Sequence, residues 1–405
     1  MGLALKNKLK QTLARVPFLY QAAKYVYGKA KRSYEWSLSV LFAVFPVVDN
    51  KIVIINYRGK GYGDNAKYIV DGLLKSDLDV EIVWLIKKEF ESSSGLPEIV
   101  RTVRFGSLKS LYEIATAKLW IDNNRFSFYV NKRKKQRYIQ TWHGGLGLKK
   151  IEADAPYGQD AKYIRFAKRD SKLSDLYISN SKHLSDIYKR AFWYGGEILE
   201  SGYPKNDILF ESKELYRNKI REEYGLSEET KLLLYAPTFR DNHNLNPYDI
   251  NLTELKNQLN THQDEDWVIA ARLHPNIDGI CFAQAFQDGV INVTDYPDMQ
   301  ELIMGVDILV TDYSSCMFDS AIAKIPTFIY ASDVDEYLDN RGFYFSLDDL
   351  PFKAAQNTQE LIENISTFNE KESLRDLECF YQAVGLYDDG NASQKVVNAI
   401  KKMLF

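Results

Sequence analysis

Cysteine is nearly missing from this chain: Cys281, Cys316 and Cys379 are the only three among 405 residues, and they lie far apart. So sparse and odd a set argues against a disulfide framework or a thiolate metal site. Cys316 reads better as a small buried residue at a helix start than as a nucleophile. There is no HExxH motif and no metal-spaced carboxylate trio, so the sequence calls for no metal and no cofactor. Long apolar runs are missing too. The longest near the N-terminus, residues 38–48, is broken by Pro46, and it is far shorter than the ~20 residues that a membrane crossing needs. It also lies too deep in the chain, and lacks a small-residue cleavage site, to read as a secretion signal. Net charge is only -3, which gives no overall reason to bind nucleic acid.

Acidic side chains are absent from residues 1–34, where Lys6, Lys8, Lys10, Arg15, Lys24, Lys29, Lys31 and Arg32 alternate with leucines, tyrosines and valines. Such a segment suits the headgroup region of an anionic membrane, each lysine contributing roughly 1 kcal/mol. It equally suits a solvated helix packed on its own domain. Pro17 interrupts it, which predicts two short helices. The expected location is cytoplasmic, at the inner face of the membrane.

What is present describes a large soluble core. Hydrophobic residues make up 45% and charged residues 26%, and the length fits two domains. Lys51–Asn56, Val80–Ile86, Val103–Phe105, Ala117–Ile121, Arg137–Gln140, Leu176–Asn180 and the run from Ile198 read as strands alternating with helices. After a charged helix over 211–224 the pattern restarts with Lys231–Tyr235, Val268–Leu273, Val290–Val293, Ile308–Val310 and Thr327–Tyr330. Continuous β-branched runs between helices predict parallel sheets covered on both faces, hence an α/β chain. The expected units are a basic segment 1–48, a first Rossmann-like domain 49–210, a second over 211–390 and a terminal helix 391–405. Their strand ends would face each other across a cleft.

Three stretches at predicted strand ends carry chemistry. His143 lies in Gln140-Thr141-Trp142-His143-Gly144-Gly145, with Gly147 close behind. An imidazole is largely neutral near pH 7 and suits a general base, and the glycines permit close backbone approach. His274 sits between Leu273 and Pro275 and suits a phosphate contact; Arg272 offers a forked guanidinium nearby. Thr311-Asp312-Tyr313-Ser314-Ser315 joins a strand to a helix, where hydroxyls and free N–H groups would meet a phosphate. Each also has a plain structural reading as loop, cap or turn. Gly59, Gly61 and Gly63 miss the dinucleotide fingerprint spacing. Asp64 and Asn65 suit a helix cap facing the cleft.

The chain resembles the CDP-glycerol glycerophosphotransferase family of teichoic-acid and capsule biosynthesis. The resemblance lies in 63–69, 140–144, 195–207, Leu234-Tyr235-Ala236-Pro237-Thr238-Phe239-Arg240, Arg272-Leu273-His274-Pro275 and Val310–Ser315, in consistent order. It implies a GT-B arrangement of two Rossmann-like domains. His143 would then accept the proton of the acceptor hydroxyl and His274 would steady the donor diphosphate. Asp312 would orient its loop or touch the transferred alcohol. Ser314 and Ser315, with Thr311, Arg240, Arg272, Trp142, Gly144, Asp64 and Asn65, would line the substrate pocket. The implied donor is CDP-glycerol or CDP-ribitol, with a divalent cation arriving, if at all, with its diphosphate. The implied acceptor is a polyprenyl-diphosphate-linked saccharide or polyol phosphate at the anionic inner membrane surface. A nucleotide-sugar glycosyltransferase and a noncatalytic binding protein are the competing readings.

Overall fold

The computed structural model describes residues 17–92, 95–155, 159–238, 250–263, 265–273 and 289–405. His274 and Arg240 lie outside that set.

Two parallel sheets organise the chain. The first contains β1 (Val48–Ile55), β2 (Glu81–Ile86), β3 (Arg101–Arg104), β4 (Ala117–Asp122), β5 (Arg137–Gln140), β6 (Leu176–Ser179) and β7 (Glu197–Glu200). Its spatial order is β3-β2-β1-β4-β5-β6-β7. The second contains β8 (Lys231–Ala236), β9 (Trp267–Ala271), β10 (Val290–Asn292), β11 (Ile308–Thr311), β12 (Thr327–Tyr330) and β13 (Lys353–Ala355), in the order β10-β9-β8-β11-β12-β13. Every pairing is parallel. Ile52 to Ile55 are all fully buried because helices cover both faces, and this is why the strands read as unbroken apolar runs. The architecture is GT-B.

In each sheet the strand order reverses once, between β1 and β4 and between β8 and β11. At such a reversal the flanking helices diverge to opposite faces and open a crevice at the carboxyl edge. Three candidate residues sit at that edge, His143 after β5, Arg272 after β9 and Asp312 after β11, and Tyr57 after β1 and Asn123 after β4 join them there.

The halves are tied together. Lys67, from the helix Asp64–Leu74, reaches Asp298 at 2.6 Å and Glu301 at 2.8 Å in the second half, and the Tyr68 hydroxyl donates to the same Asp298. Leu146 and Leu148 share an apolar cluster with Tyr313, Met317 and Phe318. The terminal helix Ala392–Leu404 returns to the first sheet, burying Val396, Val397, Ile400 and Leu404 in its core.

In the N-terminal segment, the residues before Pro17, where the first of the two expected helices would lie, are outside the described residues. Pro17 opens one helix that runs to Phe42, a position where its missing N–H costs nothing. Leu38 and Phe42 pack on the first core, Ser39 accepts a hydrogen bond from the Asn131 N–H, and the only acid of this helix, Glu35, accepts from the Tyr129 N–H. The opposite face is open: Tyr25, Val26, Tyr27, Tyr34, Trp36 and Leu41 are exposed among the lysines.

Candidate functional site

His143 is held in a defined protonation pattern. Its Nδ1 lies 2.7 Å from the Asn123 carbonyl oxygen. A carbonyl can only accept, so Nδ1 carries the proton and Nε2 keeps its lone pair. Asn123 is itself fixed, accepting from the Tyr57 N–H at 2.8 Å and donating to Asn56 at 2.7 Å. The imidazole stacks on Trp142, with centroids 4.5 Å apart, and Tyr57 approaches within 5.4 Å from the other side. Burial between these rings pushes its pKa below 6.5; the Asn123 bond and Asp64 oppose the shift and Lys205 adds to it. A neutral imidazole with a free Nε2 at an interdomain edge can accept a proton.

The loop that carries His143 is strained into place. Trp142 has φ 54°, in the left-handed region, and its N–H donates to Gln140 Oε1 at 2.8 Å. The Gln140 amide donates in turn to the Asn124 carbonyl, so one side chain braces both the Trp142 turn and the Asn123 loop. Below Trp142, Arg125 is buried with Glu152 and Asp170, each at 3.1 Å. Gly145 is needed for space: a Cβ there would stand 2.8 Å from Asn180 Nδ2. Gly144 sits beside His143, its carbonyl accepting from the Tyr203 hydroxyl at 3.3 Å.

On the facing half, Arg272 is the outstanding group. Its Nη1 is buried with no hydrogen-bond partner among the described residues. Burial lowers its pKa, while Asp298, Cys316, Tyr224 and Tyr57 pull the other way. The guanidinium and the neutral phenol of Tyr57, which packs on His143, are near enough that each affects the other's ionisation. A buried cation with an open donor is costly by itself and can take up an anion. Ser314 and Ser315 begin the helix Cys316–Ile322; Ser315 is its N-cap yet makes no side-chain capping bond. Cys316 is buried at the helix start.

Thr311, Asp312 and Asn65 each make hydrogen bonds within the protein, and for Asp312 these are bonds that orient its loop. Thr311 is fully buried and its hydroxyl donates to the Ala236 carbonyl at 2.7 Å. Asp312 accepts from the Thr238 N–H and hydroxyl, each at 2.9 Å, and from the Tyr313 N–H at 2.6 Å. Its carboxylate shapes the loop after β8. Asn65 is fully buried; its amide donates to the Trp142 carbonyl at 3.3 Å and its oxygen accepts from the Lys205 N–H at 3.2 Å. Gly63 is the N-cap of the helix Asp64–Leu74, and Asp64 Oδ1 accepts the first-turn N–H of Asn65 at 2.7 Å. Asp64 takes φ 54° and accepts the Tyr57 hydroxyl at 2.8 Å, so it faces the His143 side of the cleft. Tyr57, Asn123, Lys205 and Asp319 were not singled out in the sequence. Only Lys205, inside the 195–207 stretch, stood in a region already marked.

The sequence pattern of CDP-Glycerol:Poly(glycerophosphate) glycerophosphotransferases matches residues 37–402. A teichoic acid glycerol-phosphate transferase of Staphylococcus aureus is 32% identical over 388 residues, covering 92% of this chain and 98% of that protein. A teichoic acid poly(glycerol phosphate) polymerase of Staphylococcus epidermidis is also 32% identical, over 87% of this chain, but the match spans only 50% of its length. A teichoic acid ribitol-phosphate primase of Bacillus spizizenii is 27% identical over 96% of this chain. Among solved structures, the wall teichoic acid polymerase TagF, as a histidine-to-asparagine variant soaked with CDPG, superposes with a TM-score of 0.79 at 29% identity, covering 95% of this chain and 96% of that one.

Proposed function

Because this chain belongs to the CDP-glycerol:poly(glycerophosphate) glycerophosphotransferase family, we propose that it transfers glycerol phosphate from CDP-glycerol to a hydroxyl of a teichoic-acid or capsule precursor and releases CMP. The observation that carries this reading is the neutral His143, with Nε2 free, set across a cleft from Arg272, whose Nη1 is buried with no partner among the described residues. His143 takes the proton of the acceptor hydroxyl. The acceptor oxygen bonds to the phosphorus that bears glycerol, and the anhydride P–O bond breaks with its electron pair leaving on CMP. Arg272 and the Ser315 hydroxyl meet the charge that gathers on the departing phosphate, with His274 assigned the same duty from the sequence. Little covalent work falls to the protein, so positioning and electrostatics supply most of the acceleration.

The acceptor is carried on a polyprenyl diphosphate, and the exposed face of the helix Pro17–Phe42 brings the enzyme to it. Tyr25, Tyr27, Tyr34 and Trp36 are amphipathic rings suited to the headgroup layer, and Lys24, Lys29 and Lys31 favour anionic lipid. No helix among the described residues is long and apolar enough to cross a membrane. Flotation with anionic and with zwitterionic vesicles tests this: selective, salt-sensitive binding is expected, and none to either would remove the membrane from the scheme.

The function is tested with purified CDP-glycerol, CDP-ribitol and common nucleotide sugars, each with a lipid-linked acceptor, reading nucleotide release and product mass. Acceptor-dependent CMP release with a mass gain of one or more glycerol phosphates is expected. Gain of ribitol phosphate would reassign the donor, and release from a nucleotide sugar would reject the reading.

A further inference from the structure

A continuous run of contacts links the donor side of the cleft to the base. Ser314 and Ser315 open the helix Cys316–Ile322, and one turn in, Asp319 is buried at 2% exposure. Its Oδ2 accepts from Lys205 Nζ at 2.7 Å and from Gln300 Nε2 at 3.0 Å. Lys205 belongs to the other half, in the 3-10 turn Pro204–Phe210 after β7, and is itself 4% exposed. Its backbone N–H donates to Asn65 Oδ1, Asn65 Nδ2 donates to the Trp142 carbonyl, and Trp142 stacks on His143.

Stability alone does not account for this ion pair. Burying an ammonium and a carboxylate costs several kcal/mol per ion before their attraction repays it, and apolar side chains of like volume commonly serve as well. The surroundings are also only partly satisfied: Asp319 Oδ1 and the Tyr381 hydroxyl are buried without hydrogen-bond partners among the described residues. A charged link of this kind, at a domain contact and with one carboxylate oxygen left open, is suited to registering how the two halves sit.

We propose that Lys205 is a positioning residue that couples the seating of the Ser314–Ser315 helix to the placement and charge environment of His143. The inference deepens the transferase reading and rests on it for the identity of the reaction. The groups facing His143 are Asp64 from the first helix of the domain, Tyr57 from the loop after β1, Lys205 from the turn after β7 and, beneath Trp142, Arg125. Of these, Asp64 favours the imidazolium and Lys205 disfavours it. Removing the Lys205 charge therefore raises the His143 pKa. Removing the Asp319 charge leaves Lys205 unbalanced and lowers it.

The test is a histidine NMR titration of the full chain, with the His143 signal assigned by its loss in His143→Gln, run on wild type, Lys205→Met, Lys205→Arg and Asp319→Asn. The His143 midpoint is expected to move up in Lys205→Met, move down in Asp319→Asn and stay near wild type in Lys205→Arg. In parallel, kcat for CMP release is expected to fall about a hundredfold in Lys205→Met, the scale of a ~1 Å misplacement, while the calorimetric Kd for CDP-glycerol stays near wild type. A His143 titration that moves in neither Lys205→Met nor Asp319→Asn would overturn the proposal. So would parallel losses of melting temperature and donor affinity with an unmoved titration, the pattern of a purely structural residue. Should Lys205→Met not fold, Asp319→Asn decides alone by the same downward shift. The titration does not depend on the donor, so absent turnover in wild type would count against the transferase reading and leave the coupling to be judged by the NMR.

Discussion

Replacing Arg272 by methionine should strengthen the free protein and cripple donor binding at once. The guanidinium is buried and Nη1 has no partner among the described residues, and burial is the largest influence on its pKa, which is lowered. A depressed pKa means that the fold disfavours the charged form at any accessible pH, so the unliganded protein carries a cost that methionine relieves. An unsatisfied buried donor costs about 1–3 kcal/mol and more if charged, so a gain of about 1 kcal/mol is expected after allowing for packing differences. When a diphosphate is bound, the same group becomes one half of a buried charge pair. Truncating one such partner costs about 2–5 kcal/mol, or roughly 30-fold to 4,000-fold in Kd. Calorimetric titration with CDP-glycerol and a melting curve without ligand read the two effects separately. A variant with wild-type donor affinity, or one that melts several degrees lower, would show that Arg272 serves the fold and not the donor.

Other expectations follow from the same geometry. The kcat/KM profile should fall on its acid side through a pKa below 6.5, because His143 must be neutral to act and its pKa is lowered by burial; a midpoint above 6.5 would contradict the buried, uncharged base. Gly145→Ala places a methyl carbon 2.8 Å from Asn180 Nδ2, whose side chain is already engaged with Leu146 and Asp388. A loss of about 1–3 kcal/mol in a denaturant titration is expected, with a marked fall in turnover; an unchanged variant would mean that the loop has slack. Asp388 is pushed up to about 7 from an ordinary 3.8, first by burial. Its folded pKa exceeds its unfolded one, so its favourable contribution is complete below about 4 and is lost as pH rises through 7. Wild type should lose more stability between roughly pH 5 and pH 8 than Asp388→Ala does, and equal slopes in urea melts would refute the assignment.

The sheet was legible because parallel strands buried on both faces cannot hide: Ile52–Ile55 and Leu232–Tyr235 are unbroken apolar runs. β13 escaped notice because Lys353-Ala354-Ala355 has neither β-branched nor large apolar residues. The order of strands, with its reversals at β1/β4 and β8/β11, is a tertiary property that no local pattern carries. In the site, residue types and strand-end positions pointed correctly to the carboxyl edge, but not to which side chains face the cleft. Thr311 and Asn65 look like ligand groups in sequence, yet their neighbours' orphan backbone groups claim them. Lys205 and Asp319 are 114 positions apart, and their pairing exists only once two domains meet. The state of His143 depends on a main-chain carbonyl at Asn123, which any residue type supplies.

The central claim is that His143 is the base that activates the acceptor. The most direct test is the rate of acceptor-dependent CMP release by His143→Gln under saturating CDP-glycerol, with donor affinity measured on the same preparation. The account predicts a kcat loss of about 10²–10⁴-fold, the usual worth of a positioned general base, with the Kd for CDP-glycerol little changed. Turnover near the wild-type rate at unchanged affinity would contradict it.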